Sequence, residues 1–142
     1  MENYMKLSLL AIGENECFAR NAVAAFALYL NPTLEELSDV KTAVSEAVTN
    51  CIVHAYEKDG QGEIVIECRA NETSHELHIT ITDHGRGIED VEKAVLPFFT
   101  TLEGEERSGM GFTIMQTFMS EFSLKSGRGE GTVVEMCKKI GA

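Results

Sequence analysis

Residues 45–54 constrain the fold more than any other part of the chain, because they belong to a predicted helix with two chemically different faces. At about 100° per residue, the apolar side chains between residues 37 and 55 form one stripe suited to a core. Glu46 lies roughly opposite that stripe, and Asn50 and His54 follow at intervals of four. The stripe comprises Leu37, Val40, Val44, Val48, Cys51, Ile52 and Ala55.

The polar face of this helix has two interpretations. A carboxylate can accept a proton or orient a nucleophile, and an amide oxygen is a hard ligand suited to Mg²⁺. A solvated surface is the simpler interpretation if the helix is considered alone. A functional site therefore needs support from segments further along the chain.

Length and charge limit the class of protein. A chain of 142 residues with 44% hydrophobic residues predicts one domain, residues 1–142. Its formal charge of -11 disfavours nucleic acid and anionic membranes as direct partners, and attracts basic proteins. The longest apolar run, residues 22–30, is too short to span a bilayer, and Glu2 is followed by no export pattern. We therefore expect a cytoplasmic protein.

The four cysteines are scattered and lack the paired spacing of a zinc site or a redox dithiol. Each has apolar neighbours in the sequence, so we expect four buried free thiols in a reducing compartment. They are Cys17, Cys51, Cys68 and Cys137.

Hydrophobic periodicity predicts an α+β fold, a two-layer α/β sandwich with a mainly antiparallel sheet and helices on one face. The first strand is expected at a sheet edge, and Thr33 with Glu36 forms a capping box that starts the second helix. The predicted strands are residues 5–11, 63–70, 76–82, 122–125 and 132–138, and the predicted helices are residues 14–30, 34–56 and 111–122.

Asp83, Gly85 and Gly87 come directly after a predicted strand. A carboxylate at a strand end can accept a hydrogen bond from an exocyclic amine such as that of adenine. Glycines permit close approach of a flat base or a phosphate to the backbone. The same residues also make ordinary turns, so the pattern alone leaves both interpretations open.

A second glycine-bearing segment, residues 107–113, opens the third predicted helix. Free amides and the positive end of the helix dipole can bind an anion there, and Arg107 adds a cation. A flexible helix entry is the alternative interpretation. The long segment before it, residues 83–108, has the composition of a lid.

Together these segments resemble the nucleotide site shared by gyrase, the Hsp90 chaperone, histidine kinases and the mismatch-repair ATPase. Residues 45–50, 97–101 and 106–115 are most similar to the small bacterial anti-sigma factor serine kinases, in particular those of sporulation. The order of the segments matches across nearly the whole chain. A glycine is unsurprising in the family where this sequence has Ala55 after His54, a small departure.

The resemblance implies a role for each segment. Glu46 is then the general base or the group that orients the attacking hydroxyl, Arg107 stabilises charge on the γ-phosphate, and Asn50 binds Mg²⁺. Asp83 is then the residue that binds the adenine amine of ATP or ADP, with space beside it from Gly85 and Gly87. The remaining nucleotide-binding residues implied are Thr100, Thr101, Ser108, Gly109, Met110, Gly111 and Thr132.

The resemblance also implies partners. The family phosphorylates a serine of an anti-anti-sigma factor, alternately holds a sigma factor, and forms homodimers through the first strand. Arg20, the only basic residue on the first helix, either pairs with a nearby acid or contacts a partner. A stress-response anti-sigma kinase and a nucleotide-gated binding module without transfer activity are the alternatives. Glu46 argues against the binding module, because binding alone needs no base.

Overall fold

The computed structural model of the chain describes residues 1–56, 62–88, 111–127 and 129–141. Within these ranges five strands form one sheet, in which every neighbouring pair is antiparallel. The order across the sheet is β1, β2, β3, β5, β4, so β1 lies at an edge as predicted. The strands are β1 (Glu2–Leu10), β2 (Glu63–Asn71), β3 (Glu76–Asp83), β4 (Glu121–Ser126) and β5 (Thr132–Lys139).

In the described part of the chain, three α-helices pack on one face of the sheet. They are α1 (Glu14–Ala27), α2 (Leu34–Asn50) and α3 (Gly111–Phe118). The predicted stripe of α2 is confirmed, since Val40, Val44 and Val48 are fully buried. They share one core with the inward residues of β2 and β3, including Ile66 and Ile79. The predicted two-layer α+β architecture is therefore confirmed.

The capping box predicted at the start of α2 is present. The Thr33 hydroxyl accepts a hydrogen bond from the N–H of Glu36, and the Glu36 carboxylate accepts one from the N–H of Thr33. This second bond lowers the pKa of Glu36. Such a cap contributes about 1 kcal/mol to helix stability, so it fixes where α2 begins.

Helix ends differ from the predictions. The first helix becomes a 3₁₀ turn over Leu28–Leu30, and the second becomes a π-helical turn over Cys51–Ala55 instead of continuing as α-helix. The third helix was predicted to residue 122 but ends at Phe118, because Glu121 already pairs with Cys137 in the β4–β5 ladder. Tertiary pairing overrides local helix propensity at that point.

The prediction of four buried thiols is wrong for one of them. Cys51, Cys68 and Cys137 are buried, but Cys17 is exposed on the outer surface of α1. Its apolar sequence neighbours Ala19 and Val23 face the core, whereas Cys17 lies on a different side of the helix. None of the four forms a disulfide.

Candidate functional site

Asp83 is the only polar or charged residue that is buried in the described part of the chain, and it ends β3. Its Oδ1 accepts a hydrogen bond from the N–H of Gly85 at 2.9 Å, and its Oδ2 accepts one from the thiol of Cys51 at 3.4 Å. Burial raises the pKa of Asp83, while these donors favour its ionised form. The result is a fixed carboxylate at a strand end, which can accept a further hydrogen bond from an amine.

The thiol of Cys51 fixes this carboxylate relative to α2. Cys51 begins the π-helical turn that follows α2, and burial beside Asp83 raises its pKa well above the ordinary value. The group therefore stays a protonated thiol at neutral pH, and so remains a donor. Single π-helical turns within helices are frequent at functional sites.

The phenol of Tyr56 connects the loop after β3 to the start of β2. Its oxygen accepts a hydrogen bond from the N–H of His84 at 2.6 Å and donates one to the carbonyl of Glu63 at 2.8 Å. The N–H of Arg86 also donates to the carbonyl of Ala55, at 3.0 Å. The loop is thus bound along its length to the end of the helical segment.

Gly85 is required by this close packing. A Cβ atom at position 85 would lie 2.7 Å from the carbonyl carbon of Ala55, closer than real side chains approach. The structure therefore gives a reason for this glycine within the protein itself, in addition to the predicted space for a nucleotide.

The other wall of the site is the β4–β5 turn. Thr132 lies opposite Asp83 in the β3–β5 register and opposite Ser126 in the β4–β5 register. The Ser126 hydroxyl accepts a hydrogen bond from the N–H of Ile88 at 2.7 Å, donates to the carbonyl of Gly131 at 2.7 Å, and lies 3.0 Å from the Thr132 hydroxyl. This serine joins the loop after β3 to both strands of the turn.

Gly87 packs against the same turn with φ of +76°. A Cβ atom there would overlap the carbonyl oxygen of Gly127 and lie 3.2 Å from that of Gly131. Only glycine combines this left-handed conformation with such close backbone contact.

Glu46 on α2 and Arg20 on α1 are both half-buried and face the same groove. Together with Lys41 they line a groove of about 470 Å³, whose other lining residues are Leu34, Leu37, Ser38, Thr42 and Ser45. Arg20 forms an ion pair with Glu16 at 2.7 Å, one helical turn earlier, so the predicted pairing with a nearby acid is confirmed. Asn50, the last residue of α2, lies about 6 Å along the axis beyond Glu46 and directly precedes Cys51.

The structure thus brings Asp83, Gly85, Gly87 and Thr132 together, with Asn50 and Glu46 on the adjoining helix. Gly111 is the first residue of α3. Six further predicted site residues lie outside the described residues. They are Thr100, Thr101, Arg107, Ser108, Gly109 and Met110.

Three contributors to the site were not predicted from the sequence. Cys51 was assigned only to the core stripe, and its partner Asp83 lies 32 residues away in the chain. Tyr56 and Ser126 carry no local pattern that points to the loop after β3. Their roles depend on strand pairing, which single-sequence periodicity does not specify.

Comparison with known proteins decides the family. Residues 16–138 match the model of the histidine kinase-like ATPase domain. Over 140 residues the chain is 56% identical to the anti-sigma F factor of Caldanaerobacter subterraneus subsp. tengcongensis, covering 98% of this chain and 95% of the relative. The chain belongs to the anti-sigma F factor family.

Other members of the family are similarly close. The anti-sigma F factor of Anoxybacillus flavithermus is 52% identical over 140 residues, which cover 99% of this chain and 94% of the relative. That of Clostridium perfringens strain SM101 is 50% identical over 140 residues, covering 99% of both chains. The predicted family resemblance is confirmed.

A solved structure supports the fold. The crystal structure of the RsbU and RsbW domains of a Mycobacterium tuberculosis protein superposes with a TM-score of 0.70. The match covers 97% of this chain and 32% of that chain, at 16% sequence identity, so it bears on the fold alone. Among the described residues, none of the helices has the length and apolar character needed to cross a membrane.

Proposed function

We propose that this chain is an anti-sigma factor and serine kinase, which binds a sporulation sigma factor and phosphorylates an anti-anti-sigma factor with Mg-ATP. The observation that carries the proposal is the buried carboxylate of Asp83, held by Cys51 and Gly85 beside Thr132. Membership of a histidine kinase-like ATPase family supports adenine nucleotide as the ligand of that carboxylate. The names of the relatives support the anti-sigma role.

In this proposal Asp83 accepts a hydrogen bond from the adenine amine, and Thr132 supports the same edge of the base. The loop containing Gly85 and Gly87 borders the nucleotide, and its backbone is held by Tyr56 and Ser126. Fixed groups of this kind lower the cost of ordering the site when nucleotide binds.

Glu46 is proposed to accept the proton of the attacking serine hydroxyl. It lies on the groove that also contains Arg20 and Lys41, which gives an acceptor protein a surface on α2 leading to the base. Lys41 suits an acidic segment of a partner, and Arg20 is proposed as a partner contact that exchanges its ion pair with Glu16 for one with the partner. Replacing Arg20 with glutamate should weaken sigma-factor binding while leaving ATP affinity unchanged.

Asn50 fits a magnesium ion by its chemistry, since Mg²⁺ prefers oxygen donors and often takes one or two protein ligands together with phosphates and water. Asn50 is half-buried at the helix end next to the Asp83 cluster. When bound, Mg²⁺ would neutralise charge on the phosphate oxygens. Arg107, Ser108, Gly109, Met110 and Gly111, with Thr100 and Thr101, are proposed to hold the phosphates.

The decisive test measures phosphate transfer and nucleotide binding separately. Purified protein with Mg-ATP and an anti-anti-sigma factor should yield phosphoserine, detected by mass spectrometry. Glu46→Gln should reduce the transfer rate by about 10²–10⁴-fold while ATP affinity stays within about twofold. Glu35→Gln, an exposed carboxylate in the first turn of the same helix, is the matched control and should transfer normally. Normal transfer by Glu46→Gln would refute the assigned role.

A homodimer through β1 is also proposed. Among the described residues β1 pairs with β2 alone, which leaves its other edge open, and Tyr4 and Leu10 are 75% and 55% exposed. Exposed edges of this kind favour pairing with a second chain. Light scattering should give twice the chain mass, and Tyr4→Lys should shift the protein toward monomer. A wild-type protein that stays monomeric at tens of micromolar would contradict this proposal.

A further inference from the structure

A cluster of metal-binding side chains lies on the open face of the sheet, opposite the helices. His78 on β3 is directly opposite Cys137 on β5, and Cys137 is directly opposite Glu121 on β4. Glu76 is two residues before His78 and therefore faces the same side. Strand pairing thus brings together an imidazole, a thiol and carboxylates from three adjacent strands.

The distances between donor atoms are close to those of a coordinated ion. Cys137 Sγ lies 4.0 Å from His78 Nε2 and 3.9 Å from Glu76 Oε2, and His78 Nε2 lies 3.7 Å from Glu76 Oε1. In a tetrahedral zinc site the corresponding separations are roughly 3.4–3.6 Å, given metal–ligand bonds of about 2.0–2.3 Å. The two distances to Glu76 end on different carboxylate oxygens, and with one donor atom from each residue all separations are within 4.8 Å. The side chains must therefore approach by up to about 1 Å to coordinate one ion.

The charges around Cys137 favour a cation. Cys137 is 4% exposed, and burial together with the nearby Glu76 and Glu121 carboxylates raises the pKa of its thiol to about 11. A divalent cation reverses this effect, because coordination stabilises the thiolate against both carboxylates. The Lys139 ammonium acts in the opposite direction to the carboxylates, because it lowers the pKa of the Cys137 thiol. Its side chain is exposed at the end of β5.

We propose that Glu76, His78 and Cys137 form a binding site for Zn²⁺ or a similar borderline-soft divalent ion, with Glu121 or water in the fourth position. Binding releases the thiol proton of Cys137 to solvent. The mixed thiolate, imidazole and carboxylate set selects against Mg²⁺, which prefers oxygen ligands alone. Among the described residues this is the one group of three such side chains with all donor atoms within 4.8 Å.

The proposed ion lies away from the Asp83 cluster. His78 and Asp83 are five residues apart on β3, which corresponds to about 17 Å along the strand. The ion would connect β3 to β5, and to β4 when Glu121 takes part. We therefore expect the bound ion to change the stability of the sheet, whether or not the protein is a kinase.

Cobalt provides a direct test with the full chain, metal-free and without nucleotide. Co²⁺ titration should show one equivalent of binding, with a thiolate-to-cobalt charge-transfer band that Zn²⁺ displaces and millimolar Mg²⁺ does not. Cys137→Ser should remove the band, and His78→Gln should weaken binding by roughly 100-fold. Cys17→Ser, which removes the exposed thiol of α1, is the matched control and should bind as the wild type does.

Thermal unfolding provides the second measurement. Zn²⁺ should raise the Tm of the wild-type protein and of Cys17→Ser, but not that of Cys137→Ser. Glu76→Gln keeps the buried thiol, so it tests the site if the serine variant does not fold. The proposal is overturned if the wild type shows no charge-transfer band. It is also overturned if the band persists in Cys137→Ser or is lost in Cys17→Ser.

Discussion

Replacing Asp83 with asparagine preserves the size of the side chain but removes its charge and one of its two acceptor oxygens. In the wild type, one oxygen accepts from the N–H of Gly85 and the other from the thiol of Cys51. The amide has a single oxygen, so its NH₂ group must face one of these two donors. Asp83→Asn therefore loses at least one hydrogen bond and also loses an acceptor for an amine ligand.

The effects on folding and on nucleotide binding should differ in size. Losing a hydrogen bond lowers the free energy of unfolding by about 1–2 kcal/mol. Removing the buried charge raises it by a similar amount, because the variant no longer desolvates a carboxylate. The net change should thus stay within about 1 kcal/mol. For ATP, a hydrogen bond to a charged acceptor is worth about 1.5–3 kcal/mol, so affinity should fall by roughly 10–150-fold.

The pH dependence gives a further check. Burial raises the pKa of Asp83 above the ordinary 3.8, so the folded protein binds this proton more tightly than the unfolded chain. The contribution of Asp83 to stability is therefore fully present below pH 3.8 and is lost as pH rises through the folded pKa. Relative to Asp83→Asn, the wild type should lose stability over that interval.

Calorimetric ATP titration and thermal unfolding of both proteins between about pH 3.5 and 7 measure these quantities. Glu67→Gln, an exposed carboxylate on the neighbouring strand β2, is the control and should change neither. Wild-type ATP affinity in Asp83→Asn would refute the assignment of Asp83 to the adenine amine. A wild type that gains stability relative to the variant as pH rises would refute the account of its burial.

Three other substitutions test the packing around the site. Tyr56→Phe removes a hydroxyl that bonds two backbone groups. It should lower stability by about 1 kcal/mol in thermal unfolding and should weaken ATP binding. Unchanged ATP affinity would show that the loop after β3 does not need this hydroxyl. Gly87 and Gly129 both have a φ near +75°, but of the two only Gly87 has no room for a Cβ atom. Gly87→Ala should therefore destabilise the protein by at least about 2 kcal/mol more than Gly129→Ala. Equal effects in denaturant titrations would contradict this account of the packing. The Lys138 ammonium bonds Asp39 at 3.1 Å and the carbonyl at the end of α3. Lys138→Met should therefore lower the free energy of unfolding by about 1–3 kcal/mol, measured by urea unfolding. A stability equal to that of the wild type would show that this bridge between β5 and α2 contributes nothing.

The sequence alone was sufficient for the architecture. Alternation placed Ile64 and Ile66 on the inner face of β2, and the 3.6-residue period placed Val40, Val44 and Val48 in the core. These patterns are local because each strand or helix exposes one face to water. The Asp83, Gly85 and Gly87 pattern after a strand also identified the segment in which Asp83 is buried and whose backbone bonds to Tyr56, Ala55 and Ser126.

What the tertiary structure decided is how these segments meet. The hydrogen bond from Cys51 to Asp83 depends on a π-helical turn after α2, and the Cys137 cluster depends on the register of three strands. The reason for Gly85 became visible only when Ala55 was found against it. Local periodicity records which side of an element is buried, whereas contacts between distant residues arise from strand pairing and from where each helix ends.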